Sequence, residues 1–491
     1  MDVSAAPLGR ARTIVATNLA TVLERSSEQV LPSVYSYVAK SFGSSPSHLG
    51  YLTLARSLAQ AVVSPLGGLA GNAYHRGHMI GIGCMIWSLC AVLFALSSSL
   101  AAALPSWALA GASLALIVPN AQSIVADYHT PQTRGRAFGV MHLSASAGGM
   151  IGALLATNIA SWSRFGHVEG WRVAFVGAAT AAVAVGFLNF AVEDPRFIYN
   201  RRNITETPKT FTKACKSLRN EMSALLNVPS FTLTVVQGIF GNIPWSALVY
   251  LTLYFQLLGF PAFTASALVA VFMAGVAVGG MLGGVLGDGA AIRWPVHGRI
   301  VVAQISVASG IPFAFLLTKG LPKGDASVSS AGLYAGVLFT FGLVKAWPAP
   351  ACNNPLFAEI VPEKQRTLVY AFDRCFETAL AACTAPLVGL VGEEVFGFNG
   401  AATPSGDRDK DLANAEALGE ALLVFMILPW SIDLALYTGL HWTYGPDARK
   451  AAQATAFAAT EVEAEGFIER EASIEADEVD ALFSAVQHRV R

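Results

Sequence analysis

Two five-residue patterns, Glu24-Arg25-Ser26-Ser27-Glu28 and Asp373-Arg374-Cys375-Phe376-Glu377, set an acid, an arginine and a second acid at identical spacing inside otherwise apolar stretches. An ionisable side chain at bilayer depth costs roughly 2.5 to 3.5 kcal/mol on insertion scales, so such residues are expected to be paired and to face a bundle interior or a wet cavity. Helical residues three and four apart share a face, so each arginine can bridge to the acid three residues on, leaving one carboxylate over. Desolvation raises the proton affinity of such a carboxylate and a nearby arginine lowers it, so moving the partner switches proton binding. On that ground Glu24, Arg25 and Glu28 are expected to couple to protons. Arg56 and Lys345 have no acid near them on their own segments. Each is expected to pair across helices or to hold an anionic substrate head group, with Trp347 as a stacking surface.

The elements that must position these residues follow from composition. Hydrophobic residues make up 54% of the 491 and charged residues 13%, well below the roughly 25% charged of an average soluble domain. Mean hydropathy is +0.50. Apolar residues occur in blocks of about 20, each long enough to cross roughly 30 Å of hydrocarbon as a helix. Twelve blocks are expected: 13–39, 49–71, 78–100, 104–126, 136–160, 171–192, 230–258, 262–287, 299–318, 331–357, 367–391 and 417–440. Lys345-Ala346-Trp347-Pro348-Ala349-Pro350 and Pro355 must break the tenth, since proline removes a backbone donor and clashes with the preceding turn.

The net charge of -1 leaves no basic stripe for nucleic acid. Lys and Arg number about sixteen on one side of the expected spans and about seven on the other, which puts both termini in the cytoplasm. The basic loop holding Arg196, Arg201, Arg202, Lys209, Lys213, Lys216 and Arg219 contributes most of that excess. The Asn203-Ile204-Thr205 acceptor falls in the same loop and is expected to stay unglycosylated. The six cysteines show no disulfide framework, with Cys215 on the reducing side. No CxxC or His-rich spacing suggests a metal, and no Gly-x-x-x-x-Gly-Lys-[Ser/Thr] loop suggests a nucleotide; no cofactor is expected. The first block lacks the layout of a signal peptide, so it is expected both to target the chain and to remain.

A polar, basic stretch divides the blocks six and six. The expected units are an N-terminal half (1–193), a cytoplasmic basic linker (194–229), a C-terminal half (230–445) and an acidic cytoplasmic tail (446–491). An internal repeat supports the division. Ala126-Asp127 is followed by Arg134 and Phe138, and Ala358-Glu359 at the same distances by Arg366 and Tyr370, with Pro131 and Pro362 between acid and arginine. The loops after the second block of each half also correspond: Gly67-Gly68-Leu69-Ala70-Gly71-Asn72-Ala73-Tyr74-His75-Arg76 aligns with Gly284-Val285-Leu286-Gly287-Asp288-Gly289, followed by Arg293, His297 and Arg299.

On these loops the chain resembles the major facilitator superfamily, over about residues 13 to 445. The resemblance implies an all-α membrane protein of twelve transmembrane helices in two pseudo-symmetric six-helix halves, rocking around a central cavity. It also implies a cytoplasmic gate, for which Asp127, Arg134, Asp288, Glu359, Arg366, Asp373, Arg374 and Glu377 are the candidates. The chain departs from the family at Gly71, where an Asp is usual, and at Trp107, where an arginine often stands. Gly148-Gly149 and Gly152 resemble the antiporter glycine motif without its Gly-Pro. Asn18-Leu19, Glu24-Arg25 and Leu31-Pro32 look like the first helix of Spinster-type lipid transporters, and Asn353 to Pro362 with Asp373-Arg374 resembles a plant and algal branch of facilitators. The implied function is a proton-coupled secondary active transporter, not an enzyme, working as a monomer on a lipid-like or small organic solute, with protons and membrane lipid as partners. Alternatives are a facilitator of a small organic anion without proton coupling, and a non-transporting receptor or sensor. Asp433, on the peripheral last helix of that fold, is read as structural.

Overall fold

The computed structural model describes residues 7–42, 46–161, 168–196, 211–381, 383–399 and 404–489. Arg201, Arg202, Lys209 and the Asn203 acceptor lie outside them. The described backbone is helical almost throughout, as a chain that must satisfy its own amides in hydrocarbon requires. The first group is α1 (Pro7–Ser33), α2 (Tyr35–Phe42), α3 (Pro46–Ala73), α4 (Arg76–Leu96), α5 (Leu100–Leu114), α6 (Val118–Tyr128), α7 (Arg134–Ser161) and α8 (Gly170–Phe190). After α9 (Phe211–Leu226) come α10 (Pro229–Ala247), α11 (Leu251–Leu257), α12 (Ala262–Arg293), α13 (Gly298–Phe315), α14 (Val328–Lys345), α15 (Asn354–Glu359), α16 (Arg366–Ala381), α17 (Thr384–Glu394) and α18 (Arg408–Arg489).

Among the described residues, eight helices are long and apolar enough to cross a membrane, or nine if α9 and α10, bent by 95° to each other, are taken together. That is fewer than the twelve expected, and the reason is chemical for α1 and α3 and also one of length for α16, which runs 16 residues. The segments α1, α3 and α16 fall short, and they carry Glu24, Arg25 and Glu28, then Arg56, then Asp373, Arg374 and Glu377. Polar side chains lower the hydropathy of the helices that bear the candidate site. The apolar helices still show lipid-facing surfaces: Leu89, Leu93 and Leu96 of α4 and Ile151, Leu154 and Leu155 of α7 are exposed, an apolar area that water would penalise.

Two apolar cores form. In one, Phe94 lies 4.9 Å from Trp107 and 4.7 Å from Phe175, ring centre to ring centre. Trp107, standing where the resemblance expects an arginine, is 1% exposed and supplies packing in place of charge. The other core gathers α10 to α18 around Phe255, Tyr334, Phe341 and Trp430, and takes in Val125, Ala126, Phe138 and Met141 from α6 and α7.

The two groups meet where α7 lies along α12 and α3 along α16. Glycine permits the first contact: a Cβ on Gly284 would stand 2.1 Å from the Gly135 carbonyl oxygen. The expected break in the tenth block is present. Helix α14 stops at Lys345, Ala349–Asn353 winds as a π-turn, and α15 restarts with Pro355 in its first turn.

Candidate functional site

Helix α1 presents Arg25 and Glu28 one turn apart, with Arg25 Nη1 2.6 Å from Glu28 Oε2. The expected internal bridge therefore forms. Arg56 reaches from α3 to the other oxygen of Glu28 at 3.5 Å. Packing of α7 on α1 sets this geometry, because Gly148, Gly149 and Gly152 lie against Val22, Arg25 and Ser26 and Ser26 Oγ donates to the Gly148 carbonyl at 2.6 Å. Glycines allow two membrane helices to approach closely.

Glu24 is the leftover carboxylate of that pattern, and its partner comes from the other group of helices. Arg374 Nη2 lies 3.6 Å from Glu24 Oε1, too far for a hydrogen bond, and Glu24 Oε1 is buried without one. The second pattern thus differs from expectation: Arg374 turns to α1 in place of bridging to Glu377. Glu377 lies instead against α10, where a Cβ on Gly238 would come 2.3 Å from its Oε1. Asp373 Oδ1 is buried with no hydrogen-bond partner. Within this cluster the accessible side chains are two arginines and one acid, Glu28 being 21% exposed. Arg25 is 38% and Arg374 26% exposed, against 3% for Glu24 and 6% for Arg56.

A separate ionic network closes one end of the molecule. Asp288 at the end of α12 accepts from the backbone N–H groups of Gly135 at 2.9 Å and Arg136 at 2.7 Å, and from Arg299 Nη2 at 2.9 Å. It neutralises the unpaired donors and positive dipole at the start of α7. The repeat is visible as geometry: Arg134 Nε donates to the Ala126 carbonyl and Arg366 Nε to the Ala358 carbonyl, each at 3.0 Å. Their other nitrogens cross over. Arg366 pairs with Asp127 and Arg134 lies 3.7 Å from Glu359. Asp373, Arg374 and Glu377 are not part of this network.

Gly71 leaves no matching cap on α16. A Cβ there would stand 2.0 Å from Asn120 Oδ1 and 2.6 Å from Thr367 Cγ2, so an aspartate would have to displace both side chains. Asp194 supplies the acid from the chain after α8, accepting from Arg76 Nη2 at 2.7 Å, from the Arg76 backbone N–H at 3.0 Å and from Arg196 at 2.9 Å. Arg76 also lies 2.6 Å from Asp127. Burial alone would push the Asp194 carboxyl up, but the Arg76 and Arg196 guanidiniums hold it well below the usual carboxylate range.

The three head-group candidates are not brought together. Arg56 lies with Glu28, whereas Lys345 Nζ sits 4.7 Å over the Trp430 ring. Trp347 donates its indole N–H to the Leu343 carbonyl at 2.7 Å and packs on Gly283 of α12. Arg76, Arg299 and Asp194 are ionic residues absent from the candidate set. Arg76 and Arg299 stand inside the aligned loops, and the run Glu193-Asp194-Pro195-Arg196 directly after a span was the available signal for Asp194.

Helices buried against one another, charged side chains withdrawn into their core and an apolar periphery define an all-α multi-pass membrane protein. The profile of the Major Facilitator Superfamily matches residues 17–386, and the chain belongs to that family. Membership argues against an enzymatic activity. Multidrug resistance protein 1 of Bacillus subtilis (strain 168) is 25% identical over 270 residues, covering 55% of this chain. The chain spans 64% of that relative's length. A bacterial homolog of the human lysosomal transporter Spinster, inward-facing and unoccupied, superposes at a TM-score of 0.58 and 18% identity, covering 90% of this chain and 99% of its own. The human organic anion transporter MFSD10 superposes at 0.60 and 16%, covering 86% and 99%. At these identities the two structures are likenesses of fold.

Proposed function

We propose that the protein is a proton-coupled secondary active transporter, built from twelve spans in two six-helix halves with both termini cytoplasmic, and working as a monomer by rocking alternation. The observation that carries this reading is the Glu24–Arg374 ion pair across the two groups of helices. A carboxylate whose counter-ion sits on the opposite half loses or regains that partner as the halves rock, so its proton affinity follows the conformation. The network of Asp127, Arg134, Asp288, Glu359 and Arg366 is read as the cytoplasmic gate, its arginines pairing across the two groups of helices in this arrangement. The exposure of Arg25 and Arg374 favours a solute with an anionic head group, and the Spinster and organic-anion likenesses agree with a lipid-like or small organic anion.

The test uses purified protein in proteoliposomes, with a fluorescent anionic lysophospholipid as one probe and a small aromatic carboxylate as the other. A one-unit pH gradient is worth about 1.4 kcal/mol, which sustains about tenfold accumulation per proton in electroneutral exchange. That accumulation is expected for at least one probe, and is expected to vanish with a protonophore and with E24Q/E28Q. Equilibration of a probe without accumulation, unaffected by the protonophore and by E24Q/E28Q, leaves an uncoupled anion facilitator. Failure to move either probe overturns the substrate class.

A further inference from the structure

Asp433 lies on α18, outside both ionic clusters. It is 1% exposed, and the neutral amide of Gln237 is the side-chain donor beside its carboxylate. Gln237 of α10, 2% exposed, has an unpartnered Oε1. One turn along α10, a Cβ on Gly241 would stand 3.2 Å from Gln237 Nε2 and 3.3 Å from Asp433 Oδ2, so the carboxyl and the amide lie against the same bare stretch of backbone. A turn before it, Gly238 is the point where Glu377 of α16 presses on α10. Two carboxyls therefore approach one helix at its two thinnest points, one from the interhelical cluster and one from the interior of the second core.

Lys345 reaches the same region from α14. It is 3% exposed, and its ammonium rests over the Trp430 ring, three residues from Asp433 and on the same face of α18. The titratable groups that face Asp433 are Lys345 from α14, Glu377 from α16, Cys352 from the π-turn and Tyr437 from α18 itself. Helix α10 contributes the neutral Gln237, and α13 presents Gly310 to Trp430. An ionised carboxylate with only a neutral amide beside it at that depth is far costlier than a neutral acid, and an aromatic face can hold an ammonium in the meantime.

We propose that Asp433 is a second proton-exchanging carboxyl, within the C-terminal half, with Lys345 as a counter-ion that alternates between the Trp430 ring and the Asp433 carboxylate. In the arrangement seen here Asp433 holds the proton. On release its O–H bond breaks, the electron pair stays on the carboxylate, the proton passes along α10 to Glu377 and from there to water, and the ammonium moves from the ring to Asp433. Uptake runs the same steps in reverse. This role rests on the proton-coupled reading above, but its test does not.

The probe is the proton itself. Infrared titration of the full chain in lipid nanodiscs, with aspartate carrying carbon-13, separates an aspartic acid carbonyl band from glutamate and amide bands. The acid band is expected near neutral pH, to decline on alkalinisation, to lose intensity in Asp433→Asn and to keep a titrating component in Asp373→Asn. Lys345→Met removes the group that favours ionisation, so its midpoint is expected to rise by about one pH unit or more. If Asp433→Asn does not fold, the Lys345→Met shift alone decides. A band untouched by Asp433→Asn, an unshifted Lys345→Met midpoint, or no aspartic acid band between about pH 5 and 9 overturns the proposal. A protein that keeps the band and its shift but moves no probe on a pH gradient upholds this site and refutes the transport reading; gradient-driven transport without the band does the opposite.

Discussion

Arg374 supplies an ion pair between the two groups of helices. Glu24 is 3% exposed and its ion-pair partner is that guanidinium across the interface. Breaking a fully buried pair from one side costs about 3 to 5 kcal/mol; with 26% of Arg374 exposed, about 1 to 2 kcal/mol is the better expectation for Arg374→Gln. Thermal unfolding in detergent measures it, and the E24Q/R374Q double variant is expected to recover most of the loss because no buried charge is then left alone. Asp194 carries a pH prediction. Its folded pKa is depressed, so its stabilisation is present above the ordinary carboxylate pKa and is lost as pH falls toward the lower folded value. The melting midpoint is expected to fall below about pH 4, and Asp194→Asn is expected to be less stable at neutral pH and to flatten that acid limb. An unchanged limb removes Asp194 from the ionic network.

Elements meet at glycines, and the same substitution should have different consequences depending on which surfaces it separates. Gly284 faces the Gly135 carbonyl oxygen between α12 and α7, whereas a Cβ on Gly342 of α14 would stand 2.3 Å from the Phe272 carbonyl oxygen of α12 within one core. Gly342→Val overpacks that core and is expected to cost about 1 to 3 kcal/mol of stability. Gly284→Val is expected instead to pry open the end closed by Asp288, raising the reactivity of a cysteine placed at Thr367 toward an impermeant maleimide with little change in melting. Equal destabilisation by both variants would mean that α7 and α12 do not separate. At this scale the sequence was most readable where geometry is local. The i,i+3 bridge of Arg25 to Glu28, the broken tenth block and the loops repeating Asp127–Arg134 and Glu359–Arg366 all follow from spacing along one element. Arg374 choosing Glu24 over Glu377, and Asp194 supplying the acid that pairs with Arg76, depend on which helices pack together, and spacing does not encode that. Hydropathy likewise faded on α1, α3 and α16, because the charges that form the candidate site are what make those helices less apolar.

At the scale of the whole molecule, the crosswise pairs Arg366–Asp127 and Arg134–Glu359 tie the two groups of helices at one end, while the accessible guanidiniums of Arg25 and Arg374 lie in a separate cluster. If transport requires the tied end to open, a covalent tie there must stop it without harming the fold. Thr367 Oγ1 of α16 lies 2.9 Å from Ser123 Oγ of α6, and both side chains are buried, so cysteines at these positions bring their sulfur atoms within reach of a disulfide. Cys84, Cys90 and Cys352 are buried and can stay, whereas Cys375 and Cys383 are more accessible and are best replaced by serine. Oxidised S123C/T367C is expected to lose gradient-driven movement of the probe by about tenfold or more, to regain it on reduction, and to melt no lower than the reduced form, since a cross-link restricts the unfolded chain. Full activity in the oxidised protein would show that the halves need not part at this end, and the alternation proposed for Glu24 and Arg374 would lose its physical basis.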